Sequence, residues 1–215
     1  MIDGYCERTD ASYWSEPLNA VSNLSFMVVA VITWRMARAA HDKAALLLAL
    51  SAGSIGIGSY LFHTHATRWA LQADVWPIRG FVLLFIGFAV VRFFNAPRWA
   101  GVATAAAFVM ATAATIAIGR AVGVTLNGSI GYAPIPAAMV LMAALVARRD
   151  QRAAIGLVLG AAIFVVSLAL RTVDRDLCAS LPLGTHFGWH LLNGVVIGTM
   201  IAVFIRGGRV FDERG

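Results

Sequence analysis

The sequence predicts an all-α, polytopic membrane protein that folds as one bundle of seven transmembrane helices. The chain has 215 residues, of which 60% are hydrophobic and 13% are charged, and its mean hydropathy is +0.77. Soluble domains rarely depart this far from average composition. The hydrophobic residues form long uncharged windows and not amphipathic stripes, which is typical of helices that cross a bilayer. The length fits a single domain, residues 1–215, with short loops.

The spans follow from these windows, and most are long enough to cross the hydrocarbon layer. Residues 1–16 are polar and acidic and form an extramembrane N-terminal segment. A Gly-rich stretch around Asn127 separates the fourth span from the fifth. The third span contains Asp74 and Arg79, which need partners at membrane depth. The predicted spans are, in order, 17–34, 44–62, 71–91, 99–119, a fifth that ends at Ala147, 153–170 and 185–205.

Basic residues predict the orientation, with the N-terminus outside and the C-terminus cytoplasmic. Seven spans place eleven basic residues on the inner side and six on the outer side. The inner group consists of Arg35, Arg38, Lys43, Arg92, Arg98, Arg148, Arg149, Arg152, Arg206, Arg209 and Arg214. The net charge of +6 is then assigned to anionic lipid and not to a nucleic-acid partner. Arginine outnumbers lysine sixteen to one, which favours a bacterial inner membrane with the site on the periplasmic side; the alternative is the lumenal side of an ER or Golgi membrane.

Three histidines at the ends of spans point to a metal. His186 and His190 are four residues apart, so both imidazoles project from one helix face. His63 ends the second span and supplies a third ligand from another helix. Zinc is the ion that three imidazoles most naturally share, and three protein ligands leave one position for water, as in catalytic sites. The alternative is a histidine pair that packs without metal, although buried imidazoles need partners.

Two further polar residues lie near these histidines. Asp74 follows His63 by eleven residues and begins the third span, where it can act as a general base for a water molecule. Its alternative role is a carboxylate stabilised by the dipole of its helix. Ser59, four residues before His63, can donate a hydrogen bond to a developing oxyanion or simply ease helix packing.

Both cysteines of the chain, Cys6 and Cys178, lie on the outer side of the predicted topology. A disulfide between them would tie the N-terminal segment to the loop before span seven in an oxidising compartment, and the alternative is two free thiols. Gly58 is expected to permit close approach of two helices. Three tryptophans are assigned to the interfacial aromatic belt, namely Trp69, Trp76 and Trp189.

The combination of these residues resembles the alkaline ceramidases and their wider superfamily of seven-span hydrolases. The shared pattern is Ser59-x-x-x-His63, then Asp74, then His186-x-x-x-His190, with the opening DGYCERTDASYWSEPLNAVSN. The resemblance covers nearly the whole chain by span order. It implies that the three histidines bind zinc, that Asp74 transfers a proton and that Ser59 lies beside the site. It also implies a disulfide between Cys6 and Cys178.

The resemblance further implies a calcium site in the N-terminal segment. Glu7 and Glu16 match its carboxylates, whereas Gly4 stands where the family has an aspartate. Asp3 and Asp10 lie next to the positions that depart from the pattern, so the expected calcium ligands are Asp3, Glu7, Asp10 and Glu16. Calcium takes six to eight oxygen ligands. Without an ion these residues would be ordinary solvated acidic groups.

The function that the resemblance implies is that of a zinc-dependent intramembrane amidase. It would hydrolyse the N-acyl bond of ceramide or a related sphingolipid, and release a fatty acid and a long-chain base. The alternatives are a receptor-like relative, similar to the adiponectin and progestin receptors, or another lipid hydrolase of the superfamily. A transporter with a His/Asp proton relay also stays open. A retinal photoreceptor is excluded, because the sole lysine, Lys43, lies in a loop.

Overall fold

The computed structural model describes residues 1–212, with side chains up to residue 207. The side chain of Arg209 and all of Arg214, which the orientation prediction counts, lie outside the described residues. Regular structure within residues 1–212 consists of helices alone. The α-helices are α1 (Pro17–Ser22), α2 (Leu24–Ala39), α3 (Lys43–His65), α4 (Arg68–Phe94), α5 (Arg98–Ala121), α6 (Pro134–Val146), α7 (Gln151–Val173) and α8 (His186–Asp212).

The predicted fold class is confirmed. Six segments are long and apolar enough to cross a membrane, and α6 is a shorter apolar helix, so the chain is a helical membrane bundle. Side-chain caps set where two helices begin: Asp42 accepts from the amide of Ala45 at 3.0 Å, and Asp150 accepts from the amide of Ala153 at 2.9 Å.

Two spans differ from a simple hydropathy pattern. The first span is divided into α1 and α2 at Asn23, whose side-chain amide donates to the carbonyl of Asn19 at 2.8 Å. The fifth span is short, because residues before α6 form two 3₁₀ turns, Leu126–Gly128 and Ile130–Tyr132, and not α-helix. Asn127 has a φ of 49°, in the left-handed region that breaks a helix.

Helix packing places the predicted site residues at one end of the bundle. The last helix, α8, packs against α2, α3 and α7, so that the end of α3 and the start of α8 lie at the same end of the bundle. At that end α3 and α4 approach each other closely at Gly58. A Cβ atom at Gly58 would lie 1.9 Å from the carbonyl oxygen of Ala73, which confirms the predicted role of this glycine. The close approach places Ser59 and Asp74, the next residue on each helix, side by side.

A cavity of about 940 Å³ lies between α4, α5, α6 and α8, and its wall is mainly apolar. Trp189 forms part of this wall, is 4% exposed and packs against the rings of Phe164 and Tyr132. Its assignment to the interfacial belt is therefore wrong, because the residue before His190 faces the interior of the bundle. Trp69 and Trp76 are exposed, as the belt requires.

Candidate metal centre

The three predicted metal ligands meet at the end of the bundle where α3 ends and α8 begins. His63 lies in the last turn of α3, and His186 and His190 lie in the first turns of α8. Their potential ligand atoms all lie within 4.8 Å of one another, and all three side chains are buried. The ring centroids are separated by 4.6–5.1 Å. The group can therefore hold one metal ion between two helices.

The hydrogen bonds of the rings fit a bound cation. Nε2 of His63 and Nδ1 of His186 are buried without any partner among the described residues. Buried polar atoms normally have a hydrogen-bond partner, so these two nitrogens require an explanation. The opposite nitrogen of His63, Nδ1, lies 2.5 Å from Oε2 of Glu16, and Nδ1 of His190 lies 2.7 Å from Oγ of Ser22. Such outer partners fix the orientation of metal-binding histidines.

Asp74 and Ser59 complete the predicted site. Asp74 lies beside Ser59 where α3 and α4 approach each other at Gly58, and its Oδ1 atom is buried without a partner in the described part of the chain. Oγ of Ser59 lies 3.5 Å from Nε2 of His190. The structure thus brings all five predicted residues of the site, including His186, into one cluster.

The N-terminal segment, residues 1–16, packs against this cluster and against the end of α3. The ring of Tyr5 stacks on the imidazole of His186, with 3.5 Å between the centroids and 13° between the planes. The amide of Ile2 donates to the carbonyl of Ala66, which follows α3, at 2.7 Å. The ring of Tyr5 therefore covers the buried imidazole of His186.

Asp174 connects the N-terminal segment to the start of α8. Its buried carboxylate accepts from the amide of Cys6 at 2.9 Å, and from the amides of Thr185 and His186 at 2.6 and 2.9 Å. A carboxylate in this position satisfies the free amides of a helix start. The sulfur atoms of Cys6 and Cys178 lie at disulfide-bonding distance, in agreement with the predicted pairing.

The four carboxylates of the expected calcium site are not brought together. Asp3 and Asp10 are exposed, whereas Glu7 and Glu16 are buried. Glu7 accepts from two backbone amides at the start of α1, at 2.6 and 2.8 Å, and burial raises its pKa. Glu16 contacts His63 instead. Among residues 1–212, the three histidines are the one group of three or more potential ligands placed to share a metal.

The apolar cavity lies close to the candidate metal centre. Phe26 lines the cavity, and its ring centroid lies 6.3 Å from that of His190. Leu141 on α6 also lines the cavity and is 61% exposed. The cavity wall therefore includes both a residue close to the histidine group and an exposed residue of α6.

Several residues of the site were not predicted from the sequence. Asp174, Tyr5, Ser22 and Arg8 had no assigned function, and Glu16 was assigned to calcium. Asp174 could have been noticed, because it lies shortly before α8, which begins at His186, and carboxylates favour helix starts. Tyr5 and Ser22 carried no such signal, because their contacts depend on how the N-terminal segment folds back.

The fold and the site define a helical membrane protein with a buried group of three histidines that could bind a metal, beside an apolar cavity. A comparison with protein families extends this description. The family model described as Ceramidase matches residues 4–210, which is nearly the whole chain. The chain belongs to the Ceramidase family. Membership supports a hydrolase that acts on the amide bond of ceramide, a membrane lipid. No curated protein matches the sequence.

Proposed function

We propose that this protein is a zinc-dependent intramembrane amidase that hydrolyses the N-acyl bond of ceramide or a related sphingolipid. The products are a free fatty acid and a long-chain base. The observation that carries the proposal is the cluster of three buried imidazoles, two with unpartnered nitrogens, next to the buried Oδ1 atom of Asp74 and an apolar cavity. Membership of the Ceramidase family supports the reaction class.

His63, His186 and His190 would hold the zinc ion. Zinc prefers imidazole nitrogen, and three such ligands leave a position open for chemistry. Bound zinc would lower the pKa of a water molecule and polarise the acyl carbonyl. Glu16 and Ser22 hold the ligand rings by their other nitrogens, at 2.5 Å from His63 and 2.7 Å from His190.

Asp74 and Ser59 supply the groups that move or stabilise charge. Asp74 accepts the proton of the attacking water and returns it to the nitrogen of the leaving amine, so that the amide bond breaks without net proton loss. Ser59 donates a hydrogen bond to the acyl oxygen as it gains negative charge. The unpartnered Oδ1 of Asp74 supports its role, since that atom is free to accept a proton.

The cavity suits a substrate with long apolar chains. Its volume of about 940 Å³ and its aromatic and aliphatic wall fit acyl and sphingoid tails, which would otherwise lie in the bilayer. The exposed Leu141 at its wall supports entry of the substrate from the lipid side of α6. The amide of the substrate would then reach the histidines past Phe26.

We assign the metal centre to the outer side of a bacterial inner membrane, or to the lumenal side of an ER or Golgi membrane. The distribution of basic residues supports this orientation. The disulfide-distance pair Cys6 and Cys178 at the same end of the bundle supports an oxidising compartment.

The test is hydrolysis of defined ceramides by the purified protein in detergent, with fatty acid and long-chain base measured by mass spectrometry. We expect turnover that a chelator abolishes and added zinc restores. His63→Ala should lose zinc and turnover together, whereas His65→Ala, at an exposed histidine two residues away, should keep both. Full activity of the metal-free protein, or intact ceramide in every assay, would show the proposal to be wrong.

A further inference from the structure

Arg8 places a buried positive charge within the N-terminal segment. Its guanidinium group forms an ion pair with Glu16, and also donates to the carbonyl oxygen of His63 at 2.8 Å and to that of Asp10 at 3.2 Å. The side chain is 1% exposed. A single cation thus gathers a carboxylate and two carbonyl oxygens at the edge of the metal centre.

These are the kinds of oxygen atoms that a calcium ion would bind, and the guanidinium already occupies the space between them. The remaining carboxylates do not add to the group. Both oxygens of Glu7 are engaged by backbone amides, and Asp3 and Asp10 are exposed. A set of six to eight oxygens is not assembled in this segment, so the residues present do not fit calcium.

The ion pair also acts on a metal ligand. One carboxylate oxygen of Glu16 contacts Arg8 and the other lies 2.5 Å from Nδ1 of His63. Asn19 donates to this second oxygen at 3.1 Å. Glu16 is therefore held on both sides, by Arg8 at one oxygen and by His63 and Asn19 at the other.

We propose that Arg8 is the built-in cation of the N-terminal segment: it positions Glu16, and through it His63, and the segment neither binds nor needs calcium. The absence of a calcium requirement is independent of the reaction. The positioning of His63 rests on the metal site of the proposed function. Arg8 is a positioning residue, because it acts on the metal through Glu16 and through the carbonyl oxygen of His63.

The first experiment tests calcium on the full-length protein in detergent. Equilibrium binding of radioactive calcium and the Tm are measured in a calcium-selective chelator and in millimolar calcium. We expect no stoichiometric binding and an unchanged Tm. Stoichiometric calcium binding that Glu16→Gln abolishes would overturn the inference, whether or not the protein hydrolyses ceramide.

The second experiment tests positioning with a matched arginine. Arg92 also bridges a carboxylate and a carbonyl oxygen, at 2.5 Å from Asp42 and 2.9 Å from Phe204. It lies near the opposite end of α3, about 30 Å from His63 at 1.5 Å per residue. Arg8→Ala and Arg92→Ala should both lower the Tm, because each leaves a carboxylate without its cation.

Zinc affinity separates the two variants. It should fall about 10-fold in Arg8→Ala, as expected when the outer partner of a ligand is disturbed, and stay unchanged in Arg92→Ala. Arg8→Lys should recover part of the affinity, since lysine keeps the charge but not the forked geometry. Equal zinc affinity in Arg8→Ala and Arg92→Ala would overturn the positioning role. If the wild-type protein held no zinc, the proposed function and the positioning role would both be wrong. The calcium experiment would still decide whether the N-terminal segment binds calcium.

Discussion

Replacing Glu16 by glutamine tests the link between the N-terminal segment and the metal centre. The carboxylate oxygen Oε2 lies 2.5 Å from Nδ1 of His63, so it keeps the proton on that nitrogen and leaves Nε2 available to a metal. Nε2 is the buried nitrogen that has no partner among the described residues. Glutamine has the same shape and can still accept from Nδ1, but it lacks the negative charge.

The expected effect follows from the position of Glu16. Both side chains of the pair are buried, so solvent screens their interaction little. Loss of such an outer partner typically costs about 10-fold to 100-fold in metal affinity. This range corresponds to about 1.4–2.7 kcal/mol at 25 °C. We expect Glu16→Gln near the lower end, because the hydrogen bond to Nδ1 survives.

The assay is competition for zinc between the purified protein and a chromophoric chelator. Glu7→Gln is the control, since Glu7 is also buried in the N-terminal segment but accepts only from the amides of Leu18 and Asn19. Both variants should lower the Tm, and only Glu16→Gln should weaken zinc binding. Unchanged zinc affinity in Glu16→Gln, or an equal loss in both variants, would refute the reasoning.

Other changes separate chemistry from stability. Asp74→Asn should keep zinc, measured by elemental analysis, and lower turnover by about 10²–10⁴-fold in a hydrolysis assay. Wild-type turnover in this variant would argue against a general-base role for Asp74. Gly58→Ala should lower both Tm and turnover, because its Cβ would lie 1.9 Å from the carbonyl oxygen of Ala73; Gly80→Ala, with no atom within 4 Å, is the control. Cys6→Ser should cost about 2–4 kcal/mol in unfolding free energy. Chemical reduction of the wild type should cause the same loss, and a reduced protein of full stability would argue against the bond.

The sequence predicted most of the fold, because a helix that crosses a bilayer needs a long apolar segment. Hydrophobic windows of the right length revealed six of the spans, and most of the helices extend the predicted windows by a few residues, although α8 begins one residue after its predicted start. Hydropathy could not show that the first span breaks at Asn23, or that α6 is only 13 residues long. Those features depend on local backbone geometry, such as the left-handed Asn127, which leaves average hydropathy unchanged.

The sequence also predicted the core of the candidate site, since its signal lies in spacing and in span order. His186 and His190 share a helix face, and the topology places His63 at the same end of the bundle. The partners of these ligands could not be found in the same way. Arg8 and Asp174 reach the centre through contacts between a terminal segment and a distant loop, and a single sequence carries no record of such long-range contacts.

The location of the ligands explains why segments between and before the long helices belong to the candidate site. His63 and His186 lie at a helix end and a helix start, where backbone groups lack partners within the helix. Asp174 binds the free amides at the start of α8, and Arg8 binds the carbonyl oxygen of His63 at the end of α3. Cys6 joins these two supports, because its amide donates to Asp174 and it lies two residues before Arg8. One polar assembly, in addition to helix packing, therefore connects the two helix ends that carry the histidines.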